Sequence, residues 1–268
     1  MQLPDYHIHT ARCGHAAGRM EEYVERALKL GLPEIGFADH VPMYWLDQRD
    51  RDPTLAMPPE QLPEYVAEVE RLRAAYPGIT IRLGLEADYI PGYEEKLQPL
   101  LEGYPFDYVI GSVHYIDGWG FDNPAYRDGY WEKDINRLYR EYFKLVRLAA
   151  RSGLFDVVAH PDLIKKFGYR PRDDLREVYE ETARAFAVAG VCVEVNTAGL
   201  RAPVGEIYPA PGFLRACCRH GVPATTGSDA HAPSQVGADF DSARRLLVEA
   251  GYEEIAFFKG RKKFFRKI

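Results

Sequence analysis

The chain has 268 residues, 46% of them hydrophobic and 28% charged, with a formal net charge of -6. That balance suits a globular α/β enzyme folded as one domain over residues 1–268, and it disfavours a broad basic surface for nucleic acid. No apolar run reaches about 18 residues, no signal-peptide pattern is visible, and Cys13, Cys192, Cys217 and Cys218 form no C-x-x-C, so a cytoplasmic protein without a membrane partner is expected.

The first predicted strand is "DYHIH" over 5–9. His7 and His9 lie two apart, so both face the same side. His15 follows a short turn containing Cys13, which reads as a neighbour of a site rather than a ligand. Residues 17–31 carry Met20, Tyr23, Val24, Ala27 and Leu28 at helical spacing and stop at Gly31. A strand over 34–40 ends on His40. Segment 41–63, rich in Pro, Asp and Arg, reads as a long functional loop leading into a helix over 60–76.

The strand over 80–90, "TIRLGLEADYI", carries Glu86 in apolar company. Burying even a neutral polar group without a partner costs on the order of 2–7 kcal/mol, and a cation at the strand end removes the conflict. The strand over 106–114 ends on His114 and is followed by an acidic, aromatic loop over 115–131 with Tyr115, Asp117, Trp119 and Asp122. Helix 132–152 leads to a strand ending on His160, then helix 173–189 and strand 191–196. Helix 211–221 holds His220 near its end, a structural position favoured by the helix dipole. The strand region 223–231 ends with Asp229 and His231, again two apart, before helix 235–250. A weaker strand over 254–258 leads to the basic "KGRKKFFRKI", expected to be a solvated tail or a last strand.

Strand and helix alternate about seven times, which predicts a parallel sheet closed as a barrel, with an open doubly wound sheet as the alternative. Seven of the eight histidines fall at or just past strand ends, which a parallel barrel gathers at one mouth. His7, His9, His15, His40, Glu86, His114, His160, Asp229 and His231 are nine potential ligands. A catalytic ion takes about three protein ligands, so the set suits three divalent ions, and its imidazole content favours Zn, Fe or Mn.

In order, "HIHT", "DH", "GLE", "SVH", "AHPD" and "GSDAH" resemble the polymerase and histidinol phosphatase (PHP) family over nearly the whole chain. The resemblance implies a distorted (β/α)7 barrel with a trinuclear metal site at its C-terminal mouth. It places His7, His9, Glu86 and Asp229 on one ion, Glu86, His114 and His160 on a second, and His15, His40 and His231 on a third. "HPDLIKKFG" and "EVNTAGLR" are similar to the stand-alone histidinol-phosphate phosphatases of the family. That implies phosphate binding by Arg201 and by Lys165 or Lys166, and hydrolysis of histidinol phosphate in histidine biosynthesis.

The chemistry expected is direct attack on phosphorus by metal-activated hydroxide, with Asp229 steering the water and its proton. The acidic and aromatic loop residues are expected to meet the amine and imidazole of the alcohol. A phosphodiesterase or nuclease of the same family, a phosphatase of another monoester, a deaminase-like amidohydrolase and a non-catalytic metal-binding module are the alternatives. The oligomeric state is open.

Overall fold

A computed structural model describes residues 2–268. In chain order the main elements are β1 (Asp5–Ile8), α1 (Met20–Leu30), β2 (Glu34–Phe37), α2 (Leu62–Ala75), β3 (Thr80–Asp88), α3 (Glu94–Glu102) and β4 (Tyr108–Ser112). A short ribbon follows, β5 (Tyr115–Ile116) with β6 (Trp119–Gly120), then α4 (Ile135–Arg151), β7 (Val157–Val158), α5 (Arg176–Ala189), β8 (Cys192–Asn196), α6 (Pro211–Arg219), β9 (Ala224–Gly227) and α7 (Phe240–Ala250). The chain ends in a hairpin of β10 (Glu254–Lys259) and β11 (Lys262–Lys267).

Seven strands form one parallel sheet in the order β1-β2-β3-β4-β7-β8-β9. The outer strands come together at the mouth. His9 N–H donates to the Ala230 carbonyl at 2.9 Å and Ala230 N–H to the His7 carbonyl at 3.1 Å. Further down the seam Asp5, fully buried, accepts from Ser228 N–H at 2.9 Å and Ser228 Oγ at 2.6 Å. The sheet is thus a nearly closed barrel, and the open doubly wound arrangement is excluded. The interior is filled: the Tyr108 ring occupies the space that side chains at Gly36 and Gly84 would need, and its hydroxyl donates across the barrel to the Tyr6 carbonyl at 2.7 Å. This is why two strands carry glycine at these points.

The helices follow the sequence period where an apolar face is long. In α4, Leu138, Tyr139, Tyr142, Phe143 and Val146 are buried, and Asp134 caps the first turn by accepting from Arg137 N–H at 2.8 Å. Helix α3 was not expected from the sequence. It has nine residues, buries only Leu97 and Leu101, and carries Pro99 internally, so its apolar pattern is brief and interrupted. No helix among the described residues is long and apolar enough to cross a membrane.

The basic C-terminus is a strand pair rather than a solvated tail. Gly260 N–H donates to Asp107 Oδ1 at 3.0 Å and Arg261 N–H to the Asp107 carbonyl at 2.8 Å, at the N-terminal edge of β4. Phe257 and Phe258 pack edge-on against Tyr6 and are fully buried. The hairpin therefore plugs the end of the barrel opposite the mouth. Phe258→Ala is expected to cost about 3–5 kcal/mol of unfolding free energy in urea titrations, with metal content at the mouth unchanged; a cost below about 1 kcal/mol would mean the hairpin is not part of the core.

Candidate metal centre

The barrel mouth collects every histidine that the sequence places at a strand end. His7 lies in β1 and His9 just past it; His40 bridges to Glu86 alongside β3; His114 and His160 follow β4 and β7. Asp229 and His231 follow β9, and His15 enters from the turn after β1. The ring centroids form a continuous set: His9 to His231 at 4.1 Å, His9 to His40 at 4.5 Å, His15 to His231 at 4.8 Å, His114 to His160 at 5.1 Å and His7 to His160 at 5.7 Å.

Glu86 stands at the centre, 1% exposed. Its Oε2 lies 3.1 Å from His40 Nδ1, 3.2 Å from His7 Nε2 and 3.4 Å from His9 Nε2. Its Oε1 lies 3.2 Å from His160 Nε2 and 3.8 Å from His114 Nε2, and accepts from Ser112 Oγ. Asp229 Oδ1 is 3.1 Å from His9 Nε2 and 3.8 Å from His7 Nε2. Asp229 and His160 both have positive φ, 53° and 25°, a region that costs energy outside glycine and is held here by the surrounding site.

Four histidines have Nδ1 tied down from behind. His7 Nδ1 is 2.7 Å from Glu194 Oε1, and His114 Nδ1 is 2.8 Å from Asp88 Oδ1. His15 Nδ1 reaches the carbonyls of Thr54 at 2.9 Å and Cys13 at 3.0 Å, and His231 Nδ1 reaches the Asp229 carbonyl at 3.0 Å. Each of these contacts makes Nδ1 the donor, so that Nε2, once deprotonated, turns a lone pair inward as a metal ligand requires. Several inward atoms (His7 Nε2, both ring nitrogens of His9 and Glu86 Oε2) are buried without a well-formed hydrogen bond. One such orphan costs about 1–3 kcal/mol. Several that converge are a donor set shaped for cations. His9, His40 and His231, then His7, His160 and Asp229, and also His7, His9 and Glu86, each bring ligand atoms within 4.8 Å of one another.

Electrostatics follow the same division. Burial opposes charge on every group. For Glu86, the His7 and His40 imidazoles outweigh burial and hold its carboxyl well below the usual range. For His7, the carboxylates of Glu194, Glu86 and Asp229 outweigh it and raise the ring well above its ordinary value. His114 is likewise raised to about 10, with Asp88 and Asp122 overcoming burial. His231 goes the other way, to about 3, because burial is joined by the nearby His9 ring.

The orienting carboxylates escaped the sequence reading. Glu194 holds His7 and also accepts from His160 N–H at 2.9 Å. Asp39 accepts from His40 N–H at 2.9 Å and lies 3.5 Å from His9 Nδ1. A signal existed for each: Glu194 is a carboxylate inside an apolar strand, just as Glu86 is, Asp39 precedes His40, and Asp88 is two residues past Glu86. Gly227 makes room for this layer, because a Cβ there would sit 2.2 Å from Glu194 Oε1 and 2.5 Å from His7 Cβ.

The basic candidates separate. Lys166 lines an inner cavity of about 330 Å³ together with Glu86, His160 and Asp229, and its Nζ is 3.0 Å from Asp122 Oδ2. Lys165 is 1% exposed and held by Asp162 Oδ2 at 2.8 Å, the Ile207 carbonyl at 2.9 Å and Glu206 at 3.5 Å, away from that cavity. Arg201, exposed at the rim, donates to the Ser228 carbonyl at 2.5 Å, beside Asp229. Tyr115, Trp119 and Asp122 line an adjoining outer cavity, while Asp117 is exposed in the ribbon turn. The Cys13 thiol sits within 4.8 Å of nitrogens of His15 and His231. His220 pairs with Glu180 at 2.7 Å, outside the site.

Known proteins share this architecture. The family described as the PHP domain matches residues 5–198. A protein of Deinococcus radiodurans named "Probable histidinol-phosphatase" is 45% identical over 257 residues, covering 95% of this chain and 96% of the relative. The "Histidinol-phosphatase" of Bacillus subtilis is 30% identical over 266 residues, covering 90% of this chain and 98% of the relative. The crystal structure of histidinol phosphate phosphatase from Lactococcus lactis, in complex with zinc, L-histidinol and phosphate, superposes with a TM-score of 0.85 at 26% identity, covering 98% of this chain and 99% of that one.

If Glu194 orients His7, Glu194→Gln keeps the shape and weakens the anchor. Metal affinity, measured by competition with a chromophoric chelator, is expected to fall about 10- to 100-fold with the fold retained; unchanged affinity would assign Glu194 to packing alone.

Proposed function

Because the chain belongs to the PHP domain family, we propose that it is a metal-dependent phosphomonoesterase that hydrolyses L-histidinol phosphate to L-histidinol and phosphate. The observation that carries the reading is the mouth itself: nine imidazole and carboxylate groups converge on buried orphan atoms, beside a cavity that also presents the Lys166 cation. The named activity of two similar proteins and the zinc, L-histidinol and phosphate of a third support the substrate. One domain over residues 1–268 and a cytoplasmic location belong to the same proposal.

Three divalent ions, of Zn, Fe or Mn, fit the donor set. His7, His9, Glu86 and Asp229 would hold one; Glu86, with its two oxygens turned to different histidines, would share a second with His114 and His160; His15, His40 and His231 would hold the third. When bound, such ions lower the pKa of a water from 15.7 to about 7 and offset the charge of a phosphate dianion. The chain supplies the rest. Arg201 and Lys166 would bind the phosphoryl oxygens, Arg201 in the forked geometry that suits them. Asp229, in the inner cavity, would orient the attacking water and take its proton. The P–O bond to the alcohol would break as the water oxygen bonds to phosphorus, and the departing alkoxide would take up the proton that Asp229 removed from the water. Lys165 is left to its buried ion pair with Asp162.

Purified protein is expected to turn over L-histidinol phosphate in preference to p-nitrophenyl phosphate and single-stranded DNA, and to lose activity to a chelator. Arg201→Ala should raise KM for the ester and Ki for inorganic phosphate by about tenfold or more, with metal content unchanged. Preference for DNA would defeat the substrate assignment, and loss of metal in Arg201→Ala would make that residue structural.

A further inference from the structure

The outer cavity, about 620 Å³, opens directly off the metal centre, sharing His15, His40, His114, Asp122 and Lys166 with the inner one. It is the space available to the organic part of an ester whose phosphate is held at the ions, and its size is that of a small-molecule pocket. One wall is aromatic, from Tyr115, Trp119 and Tyr126. Four acids also line it, Asp50 and Asp52 from the loop after β2, Asp88 at the end of β3 and Asp122 after β6.

Those acids are not equivalent. Asp88 is committed to His114 at 2.8 Å and Asp122 to Lys166 at 3.0 Å. Asp50 has Arg49 at 3.6 Å. Asp52 alone among the acids lining this cavity has no cation within ion-pair distance among the described residues. It is nevertheless fixed. Its Oδ1 accepts from Thr54 N–H at 2.8 Å and Thr54 Oγ1 at 2.7 Å, leaving Oδ2 open. Those bonds keep its carboxyl below the usual range, so it is charged at neutral pH. The same turn is anchored to the site, because the Thr54 carbonyl receives His15 Nδ1 at 2.9 Å. An unneutralised, preoriented carboxylate that lines the same cavity as aromatic rings is suited to a cationic group on an otherwise apolar or heteroaromatic body.

We propose that Asp52 is the specificity residue that reads the ammonium group of the leaving alcohol, an inference that rests on the phosphomonoesterase reading above. It separates amine-bearing phosphate monoesters from neutral ones, through substrate binding rather than through the chemical step.

The test is Asp52→Asn, which retains an oxygen for Thr54 and removes the charge. KM for L-histidinol phosphate should rise roughly three- to tenfold, as expected for a pair that stays partly in contact with water, while kcat and turnover of p-nitrophenyl phosphate stay within about twofold. Inhibition by L-histidinol should weaken in step, inhibition by inorganic phosphate should not, and metal content should match the wild type. The same comparison is made on 2-aminoethyl phosphate and ethyl phosphate. A selective loss on the aminated member of that pair, in an enzyme that does not favour L-histidinol phosphate, would keep Asp52 as the amine reader and remove only the named substrate. Equal losses on aminated and neutral esters, or no loss on either, would overturn the proposal.

Discussion

The structure depends on one buried carboxylate. Glu86 sits at the end of the longest barrel strand with five imidazoles within 3.8 Å of its two oxygens. In a low-dielectric interior such a charge is tolerated only if it is matched. Here the match comes from strands on both sides of β3, through residues in and just past β1 and from the ends of β2, β4 and β7. The requirement explains why histidines are concentrated at strand ends, and why parallel strands serve so well: their ends point to one place.

Positioning these rings takes a second layer. Glu194, Asp88 and the carbonyls of Thr54, Cys13 and Asp229 fix Nδ1 of four histidines and present Nε2 inward. Gly227 admits Glu194 to that layer by having no side chain. At the opposite end, the terminal hairpin and Tyr108 fill the barrel with aromatic side chains. The mouth is therefore polar and preorganised, and the base is packed. Function and stability are divided along the barrel axis.

Much of this was visible in the sequence for a physical reason. A strand has a period of two, so His7 with His9 and Asp229 with His231 could be placed on a common face without coordinates. Glu86 was visible because a carboxylate in an apolar strand needs a partner. Glu194 offered the same signal and was missed, since one buried carboxylate in isolation does not say whether it touches an ion or the histidine behind it. Lys165 and Lys166 could not be told apart because they are neighbours on a short turn, and only packing sends one to Asp162 and the other to the cavity. Asp52 was hidden for a third reason: its loop meets the site through a contact 39 residues distant, between Thr54 and His15.

A three-ion centre requires Glu86 to be shared between two of the ions. Metal content per chain, measured by plasma mass spectrometry on the wild type and on folded Glu86→Gln, tests this directly. Three ions in the wild type and the loss of two in the variant, with the His15, His40 and His231 site still filled, is the result expected. A single ion in the wild type, or a full complement retained in Glu86→Gln, would contradict it.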